Sequence, residues 1–267
     1  MLKYRILSAL IGVPILVLIF RMGGWLFLAL NLIVVTLGIF EYFKLAENKG
    51  VKVNKFLGTI FGIVLITVTY LTGEPQFLYG TLILGLIIIL LKQILVKVNE
   101  SAIFSTAVTY FGVCYIAGLF SHLILLYNSE ISLQSGKLIV WVPILATWFT
   151  DTGAYFIGLS LGEKALAPEI SPKKTIEGAV GGLTSSILVT VLLALYFNIA
   201  LYHGVVLGVL IGVIAQLGDL SASVFKRDSE IKDSGDIIPG HGGILDRIDS
   251  LLFVFPVVYY YLQWFVS

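Results

Sequence analysis

The stretch of residues 221–250 concentrates groups that could do chemistry. It reads SASVFKRDSEIKDSGDIIPGHGGILDRIDS, and ten of its thirty residues are Asp, Glu, Lys or Arg, in a chain that is only 12% charged. Carboxylates bind hard cations such as Mg²⁺, and Lys and Arg bind phosphate oxygens. The mixture of acidic and basic side chains therefore predicts a site for a metal ion and a polyphosphate.

Four aspartates are the candidate metal ligands, namely Asp151, Asp219, Asp246 and Asp249. Asp219 precedes Ser223 and Lys226 by four and seven residues, so these three side chains share one face of a helix. Asp246 and Asp249 are three residues apart and share a face in the same way. Like charges repel unless a cation holds them together. Mg²⁺ usually takes one or two protein carboxylates and completes its coordination with water and phosphate oxygens.

Each aspartate also has a simpler explanation. Asp151 or Asp219 could form a hydrogen bond that joins two helices. Asp246 and Asp249 would lie in the first turns of a helix, where the helix dipole favours negative groups. An ionised Asp within a membrane span costs about 2.5–3.5 kcal/mol, so four of them at a similar depth favour a functional site.

Basic residues and glycines surround these acids. Glycine lets backbone N–H groups approach a ligand closely, and Lys and Arg add the charge that phosphates need. The candidate substrate-binding residues are Lys173, Lys174, Ser223, Arg227, Lys232, Gly242, Gly243 and Arg247, with Lys226 beside them. Contact of basic residues with lipid headgroups is the alternative. It explains Lys44 to Lys55 well, but it does not explain the acids interleaved at 219–249.

His241 lies between two glycines of the same stretch. It could form a hydrogen bond within the loop, or it could donate to a phosphate or carry a proton in catalysis. The sequence holds no P-loop and no G-x-S-x-G motif, and its His and Cys lack the spacing of a zinc site. Those classes of enzyme are therefore not indicated.

The elements that must position these residues are membrane helices. The chain is 58% hydrophobic with a mean hydropathy of +1.00, which is more apolar surface than a soluble domain can hide. A span needs roughly 20 mostly apolar residues. Nine segments qualify, at 4–20, 24–43, 56–73, 77–96, 102–127, 138–161, 175–197, 202–225 and 244–266. We therefore predict an all-α integral membrane protein, a polytopic helical bundle of about nine transmembrane helices.

The basic residues predict the orientation of this bundle. With nine spans, only two of the 17 Lys and Arg residues, Arg21 and Lys137, fall on the side opposite the N-terminus. Because Lys and Arg mark the cytoplasmic face, the N-terminus and residues 221–250 are predicted to be cytoplasmic. Residues 1–137 would form five spans that act as a scaffold or in dimerisation. Residues 138–267 would form four spans that carry the catalytic groups.

The spacing of residues 223–249 resembles the signature of a known family. The pattern is Ser-x-x-Lys-Arg at 223–227, Lys-Asp at 232–233, and Pro-x-His-Gly-Gly-x-x-Asp-Arg-x-Asp at 239–249. It is similar to that of the phosphatidate cytidylyltransferases, also called CDP-diacylglycerol synthases. The segments DTGAYFIG and SPKKTIEGAVGG, at 151–158 and 171–182, resemble upstream stretches of the same family. Gly162-Glu163-Lys164 differs, because relatives often carry a basic pair there, and the role of this loop stays open.

The resemblance implies an enzyme that joins CTP to phosphatidic acid, giving CDP-diacylglycerol and pyrophosphate with Mg²⁺, in phospholipid biosynthesis. We expect Asp219 and Asp246 to hold the metal centre, which the resemblance implies can be dinuclear, with Asp249 and Asp151 as further ligands or orienting groups. The residues expected to act in catalysis are Asp219, Lys226, His241, Asp246 and Asp249. The family also implies a homodimer. We further expect a location in the inner, cytoplasmic membrane, with the site facing the cytoplasm, and no nucleic-acid partner.

Other classes of protein predict different patterns. An ion or proton transporter would place polar groups along a whole path, on both sides of the membrane, whereas the side opposite the N-terminus is nearly free of charge. A CTP-dependent polyprenol kinase has loosely similar features and would release CDP rather than pyrophosphate. A purely structural scaffold does not explain carboxylates within apolar spans. The long signature favours the cytidylyltransferase.

Overall fold

The computed structural model describes residues 2–95, 102–135, 137–235 and 242–266. For residues 2–9, 11 and 133 it describes the backbone alone. The predicted site residue His241 lies outside the described residues, as do Pro239 and Gly240. The described residues form two compact units, and each unit combines an earlier and a later part of the chain.

The first unit comprises the chain up to Leu125 together with Asp228–Arg247. Its helices are α1 (Leu2–Met22), α2 (Gly24–Asn48), α3 (Lys55–Thr72), α4 (Pro75–Leu95) and α5 (Ala102–Val113), followed by a π-helical turn (Cys114–Gly118) and α6 (Leu119–Asn128), which ends in the second unit. Phe27, Val35, Ile39 and Phe43 of α2 are completely buried. Gly58 and Gly62 of α3 leave room for the side chains of Phe43 and Ile39. The core of this unit is thus built on α2.

The second unit comprises Leu126–Arg227 and Ile248–Ser267. It holds the short helix α7 (Glu130–Gln134), a 3₁₀ turn (Leu138–Val140), α8 (Trp141–Leu161), the strands β1 (Ala165–Ala167) and β2 (Ser171–Thr175), α9 (Ile176–Tyr196), most of α10 (Leu201–Asp228) and most of α11 (Leu245–Phe265). The predicted division at residue 137 separated a scaffold from the catalytic spans, and this assignment of roles stays a prediction. By compactness the chain divides at Leu125, and residues 228–247 group with its N-terminal part.

The helices match the predicted spans. Within the described residues, seven helical stretches are long and apolar enough to cross a membrane: α2, α3, α4, Ala102–Asn128, α9, α10 and α11. This confirms a polytopic helical membrane protein. The sixth predicted span is helical as α8 but is not among the seven, and α1 contributes only the shorter apolar helix Gly12–Met22. The count of nine and the orientation therefore stay predictions.

Small residues let the helices of the second unit approach closely. A Cβ atom on Gly182 of α9 would lie 2.8 Å from the Thr150 carbonyl of α8, and one on Gly178 would lie 2.8 Å from the Ala154 carbonyl. Gly204 of α10 meets the Thr190 carbonyl of α9 in the same way. Such contacts between helix backbones are typical of membrane proteins, where small residues line the interfaces.

An antiparallel hairpin interrupts the helices, a short element that the predicted helical bundle did not include. Ala165 of β1 pairs with Thr175 of β2, and Ala167 pairs with Ser171. The hairpin carries Lys173 and Lys174 and leads directly into α9, where the Thr175 hydroxyl accepts a hydrogen bond from the Gly178 N–H at 3.1 Å. Ser-Pro-Lys-Lys-Thr has no alternation of apolar and polar residues, so its extended backbone was not indicated by the sequence.

The loop Gly162-Glu163-Lys164 enters this hairpin. The carboxylate of Glu177 accepts hydrogen bonds from the backbone N–H groups of Glu163 at 3.0 Å and Lys164 at 3.2 Å. The loop is therefore held by its backbone to the first turn of α9. Its side chains are not needed for these contacts.

Candidate active site

A cavity of about 550 Å³ lies in the second unit, between α8, the hairpin, α9 and α10. Its polar lining comes from Asp151, Lys173, Lys174, Gln216 and Asp219. Its apolar lining includes Ala154, Tyr155, Leu159 and Leu166. A pocket with a few convergent charged groups and an apolar wall suits a ligand that joins a phosphate group to a hydrocarbon part.

An ion pair lies at the centre of the polar lining. The Nζ atom of Lys174 lies 2.5 Å from Asp219 Oδ2, and it is buried. The hydroxyl of Ser223, one helical turn along α10, lies 3.4 Å from Asp219 Oδ1. This confirms that Asp219 and Ser223 share a helix face. Lys174 supplies the positive charge that compensates the carboxylate of Asp219.

Asp249 lies close to this pair within the same unit. Its side chain is 7% exposed and interacts electrostatically with Asp219, Lys226 and Asp151. Lys226 is also buried, and Asp249 Oδ1 accepts a hydrogen bond from the Ser250 N–H at 2.7 Å. Three of the four aspartates that the sequence singled out therefore lie in one unit, with Asp249 in electrostatic range of Asp219 and Asp151.

Gly218 explains why Asp249 can lie beside Asp219. A Cβ atom on Gly218 would lie 2.8 Å from the backbone carbonyl of Asp249 and 3.1 Å from Ser250 Cα. These are backbone atoms of α11, so a larger residue at 218 would force α10 and α11 apart. The absence of a side chain immediately before Asp219 thus lets α10 approach the backbone of α11 closely at Asp249.

The chemistry of these groups fits a hard cation bound together with a ligand. Among the described residues, no three Asp, Glu, His or Cys side chains converge into a ready-made metal site. Mg²⁺ does not need such a cluster, because it usually binds through one or two carboxylates plus water and phosphate oxygens. Asp219 and Asp249, with Asp151 near them, supply oxygen donors of that kind.

Arg227 and Lys173 occupy the edge of the second unit. The Arg227 Nε–H donates to the carbonyl of Ile170, between the two strands, at 3.1 Å. Arg227 thus links the end of α10 to the hairpin. Lys173 is exposed and lines the cavity.

Asp246 belongs to the first unit, where it holds together residues 228–235 and 242–247, here called the polar loop. Its Oδ2 atom accepts hydrogen bonds from the Ser234 N–H at 2.9 Å and the Gly243 N–H at 3.0 Å. The Ser234 hydroxyl lies 3.0 Å from the same oxygen. Gly243, predicted to offer its amide to a substrate, here donates it to Asp246. Gly242 has a φ of 77°, a left-handed conformation that favours glycine.

The other predicted residues of this loop, Lys232 and Arg247, are exposed. Exposure is compatible with binding of a charged ligand, and their role stays a prediction. His241 cannot be placed, because it lies outside the described residues.

Two residues that the structure brings forward were not among the predicted site residues. Gln216 lines the cavity, and its side-chain amide donates to the carbonyls of Ala179 at 3.2 Å and Gly212 at 2.7 Å. Glu41 of α2 is 4% exposed and accepts hydrogen bonds from the polar loop of the first unit. The sequence offered one signal for Glu41, which is an acidic side chain within a predicted apolar span, as it did for Asp151.

A family model and the relatives compared with this chain all point to cytidylyltransferases. The model of the cytidylyltransferase family matches residues 3–265. A protein of Synechocystis sp. named phosphatidate cytidylyltransferase is 34% identical, over 97% of this chain and 95% of its own length. Proteins of the same name from Bacillus subtilis and Staphylococcus saprophyticus are each 32% identical, over 98% and 96% of this chain and 98% and 97% of their own lengths.

Proposed function

The chain belongs to the cytidylyltransferase family, and on that premise we propose that it transfers CMP from CTP to phosphatidic acid, giving CDP-diacylglycerol and pyrophosphate. One observation of the structure carries the proposal. The cavity of the second unit combines the Lys174–Asp219 pair with Lys173, Asp151 and an apolar wall. The names of the relatives supply the substrates, and the cavity supplies groups that suit them.

The reaction asks little covalent chemistry of the protein. A phosphate oxygen of phosphatidic acid attacks the α-phosphorus of CTP, a new P–O bond forms, and the bond to the departing pyrophosphate breaks. The phosphate monoester is already anionic, so no protein nucleophile is required. Catalysis then consists of holding two anions in line and neutralising the charge that develops on the leaving group.

The lysines of the hairpin would bind the phosphates. Lys173 is exposed at the cavity, and Lys174 projects into it and is paired with Asp219. Their amines can neutralise phosphate oxygens as point charges. Lys226, buried near Asp249, would keep the carboxylate cluster from repelling these anions. Arg227 would keep the hairpin in place while the ligand binds.

Mg²⁺ is the cofactor that the proposal includes. Asp219 and Asp249 would hold it, with Asp151 as a further oxygen donor. Asp246 is added as a ligand on the strength of the family signature. When bound, the metal would neutralise phosphate charge and stabilise the leaving pyrophosphate. Titration of the activity with Mg²⁺ would count the bound ions.

The proposal also covers location and assembly. The distribution of Lys and Arg supports an active site on the cytoplasmic side, where CTP is available, in the inner membrane of the cell. Phosphatidic acid would reach it from the bilayer. A homodimer is proposed from the family resemblance.

The test uses purified protein in nanodiscs with phosphatidic acid, CTP labelled in its α-phosphate, and Mg²⁺. We expect labelled CDP-diacylglycerol and one pyrophosphate per turnover, abolished by EDTA and reduced at least about 100-fold in Asp219→Asn. Glu130→Gln is the control, because Glu130 is an exposed carboxylate of the same unit, at the start of α7. Release of CDP would identify a kinase instead. Verified folded protein that gives no labelled lipid would refute the proposal.

A further inference from the structure

We propose that Glu41 is a positioning residue for the reaction, because it fixes the polar loop that carries Asp246. The polar loop, residues 228–235 and 242–247, includes Lys232, Asp233 and Asp246. All contacts in this inference lie within the first unit. The inference rests on the function proposed above, in which Asp246 acts on the metal.

Glu41 uses both carboxylate oxygens on the polar loop. Its Oε1 atom accepts a hydrogen bond from the Ile244 N–H at 2.9 Å, and its Oε2 atom accepts one from the Leu245 N–H at 2.8 Å. Both donors belong to the start of α11, where backbone N–H groups have no partner within the helix. Glu41 therefore caps α11 from a position 204 residues earlier in the chain. A negative group at this helix end is also favoured by the helix dipole.

Ser234 connects Glu41 to Asp246. Its hydroxyl lies 2.8 Å from Glu41 Oε2 and 3.0 Å from Asp246 Oδ2, and the side chain is 1% exposed. A hydroxyl has a single proton, so it donates to one carboxylate at a time. The Ser234 N–H donates to Asp246 as well. Glu41 thus fixes Ser234, and Ser234 with the Gly243 N–H fixes the carboxylate of Asp246.

Two glycines of the polar loop make room for Glu41. A Cβ atom on Gly235 would lie 2.7 Å from Glu41 Oε1, and one on Gly243 would overlap Glu41 Oε2 and the Ser234 hydroxyl. Gly243 belongs to the family signature, where the sequence suggested that it exposes its amide to a substrate. The structure shows a second reason for a glycine at position 243, because a side chain there would block the Glu41 carboxylate from the loop.

Further contacts from α2 and from Lys49, which directly follows it, hold the start of the polar loop. The Ser229 hydroxyl donates to the Leu45 carbonyl at 3.0 Å, and Asp228 pairs with Lys49. The C-terminal half of α2 therefore supports the polar loop. Of these contacts, the one from Glu41 is the most buried and the only one described that reaches the start of α11.

Stability alone does not account for Glu41. A carboxylate buried in an apolar span is costly, and replacement of buried ionic groups by apolar ones of similar volume is often neutral or stabilising. Three donors directed at one carboxylate instead favour a role in holding a specific loop geometry. Outer contacts that orient metal-binding groups typically contribute 10- to 100-fold to activity or metal affinity.

The test compares Glu41→Ala, Glu41→Gln and the control Glu47→Ala in nanodiscs. Glu47 lies in the same helix, is 41% exposed, and pairs with Lys55 at 2.5 Å. We expect Glu41→Ala to lower kcat about 10- to 100-fold and to raise the Mg²⁺ concentration needed for half-maximal activity. Glu41→Gln retains an acceptor and should recover part of this loss. Glu47→Ala should match the unchanged protein.

A second measurement does not depend on activity. Amide hydrogen exchange of peptides that cover 242–252 should become faster in Glu41→Ala, because Ile244 and Leu245 lose their acceptor, while peptides from α9 stay unchanged. Normal kinetics and Mg²⁺ dependence in Glu41→Ala would overturn the inference. So would lost activity without faster exchange at 242–252, or faster exchange throughout the protein. If the unchanged protein makes no CDP-diacylglycerol, the proposed function fails, and a positioning role in that reaction fails with it. Exchange would then report only whether Glu41 holds the loop.

Discussion

At the scale of single residues, the pair Lys174–Asp219 determines the charge balance of the cavity. Both side chains are about one third exposed, and the amine lies 2.5 Å from the carboxylate, so the lysine supplies the positive charge beside Asp219. A metal ion or a phosphate that entered the cavity would compete for one member of this pair. The pair would therefore link the binding of the two proposed ligands.

Replacing Lys174 by Met would remove the charge and keep the length of the side chain. We expect kcat/KM for CTP to fall about 100-fold, because a phosphate contact is lost and Asp219 is left uncompensated. Lys174→Arg should retain part of the activity. Lys164→Met is the control, since Lys164 contacts Glu177 through its backbone. The measurement is steady-state kinetics, and an unchanged kcat/KM would show that Lys174 does not contribute to binding of CTP or to catalysis.

Replacing Asp249 should lower activity without lowering thermal stability. Its carboxylate is buried close to Asp219 and Asp151, with Lys226 as the nearby positive group. Asp249→Asn keeps the shape and the hydrogen bond from Ser250 but removes a buried negative charge. We expect activity to fall at least about tenfold while Tm stays equal or rises, because a functional site often carries unfavourable charge. Thermal melting in detergent and the product assay would show this. A lower Tm with full activity would mean that Asp249 serves the fold.

At the scale of elements, the contact of α10 with α11 places Asp249 beside Asp219. Gly218→Ala puts a methyl group against the backbone of Asp249 and Ser250, which cannot move aside as a side chain can. We expect a loss of about 1–3 kcal/mol in stability and a matching loss of activity. Gly80→Ala in α4 is the control, because no atom lies within 4 Å of its Cβ position. Equal Tm and activity in the two variants would show that α10 and α11 tolerate separation.

The elements also show what a sequence can and cannot predict. Apolar runs in the sequence predicted the helix positions to within a few residues, as in the segment predicted at 102–127 and found at Ala102–Asn128. The Asp219–Ser223 face followed from helical periodicity alone. The hairpin did not follow, because its pairing depends on how Ser171–Thr175 lies against α8 and α9. Glu41 could not be assigned either, since 193 residues separate it from Ser234 and no local pattern reports a contact across that distance.

At the scale of the whole molecule, the bilayer acts as the solvent for much of the surface. Large apolar side chains are highly exposed on several helices, for example Ile94 and Leu95 at 78% and 87%, and Ile103 at 83%. In water such a surface would drive aggregation, whereas lipid chains cover it without cost. Polar groups gather instead at the cavity and in the polar loop. This separation matches an enzyme that must meet a lipid and a soluble nucleotide.

The orientation in the membrane is the last prediction. The side that holds 15 of the 17 Lys and Arg residues should face the cytoplasm, because CTP must reach the cavity from there. We would first replace Cys114, the single cysteine, by Ala and then introduce Lys52→Cys or Gln134→Cys, both at exposed positions. In spheroplasts, a membrane-impermeant maleimide should label Cys at 134 at once and Cys at 52 only after permeabilisation. Retained activity in both variants would show that the fold is intact. The reverse labelling pattern would place the cavity away from CTP and contradict the proposed function together with the topology.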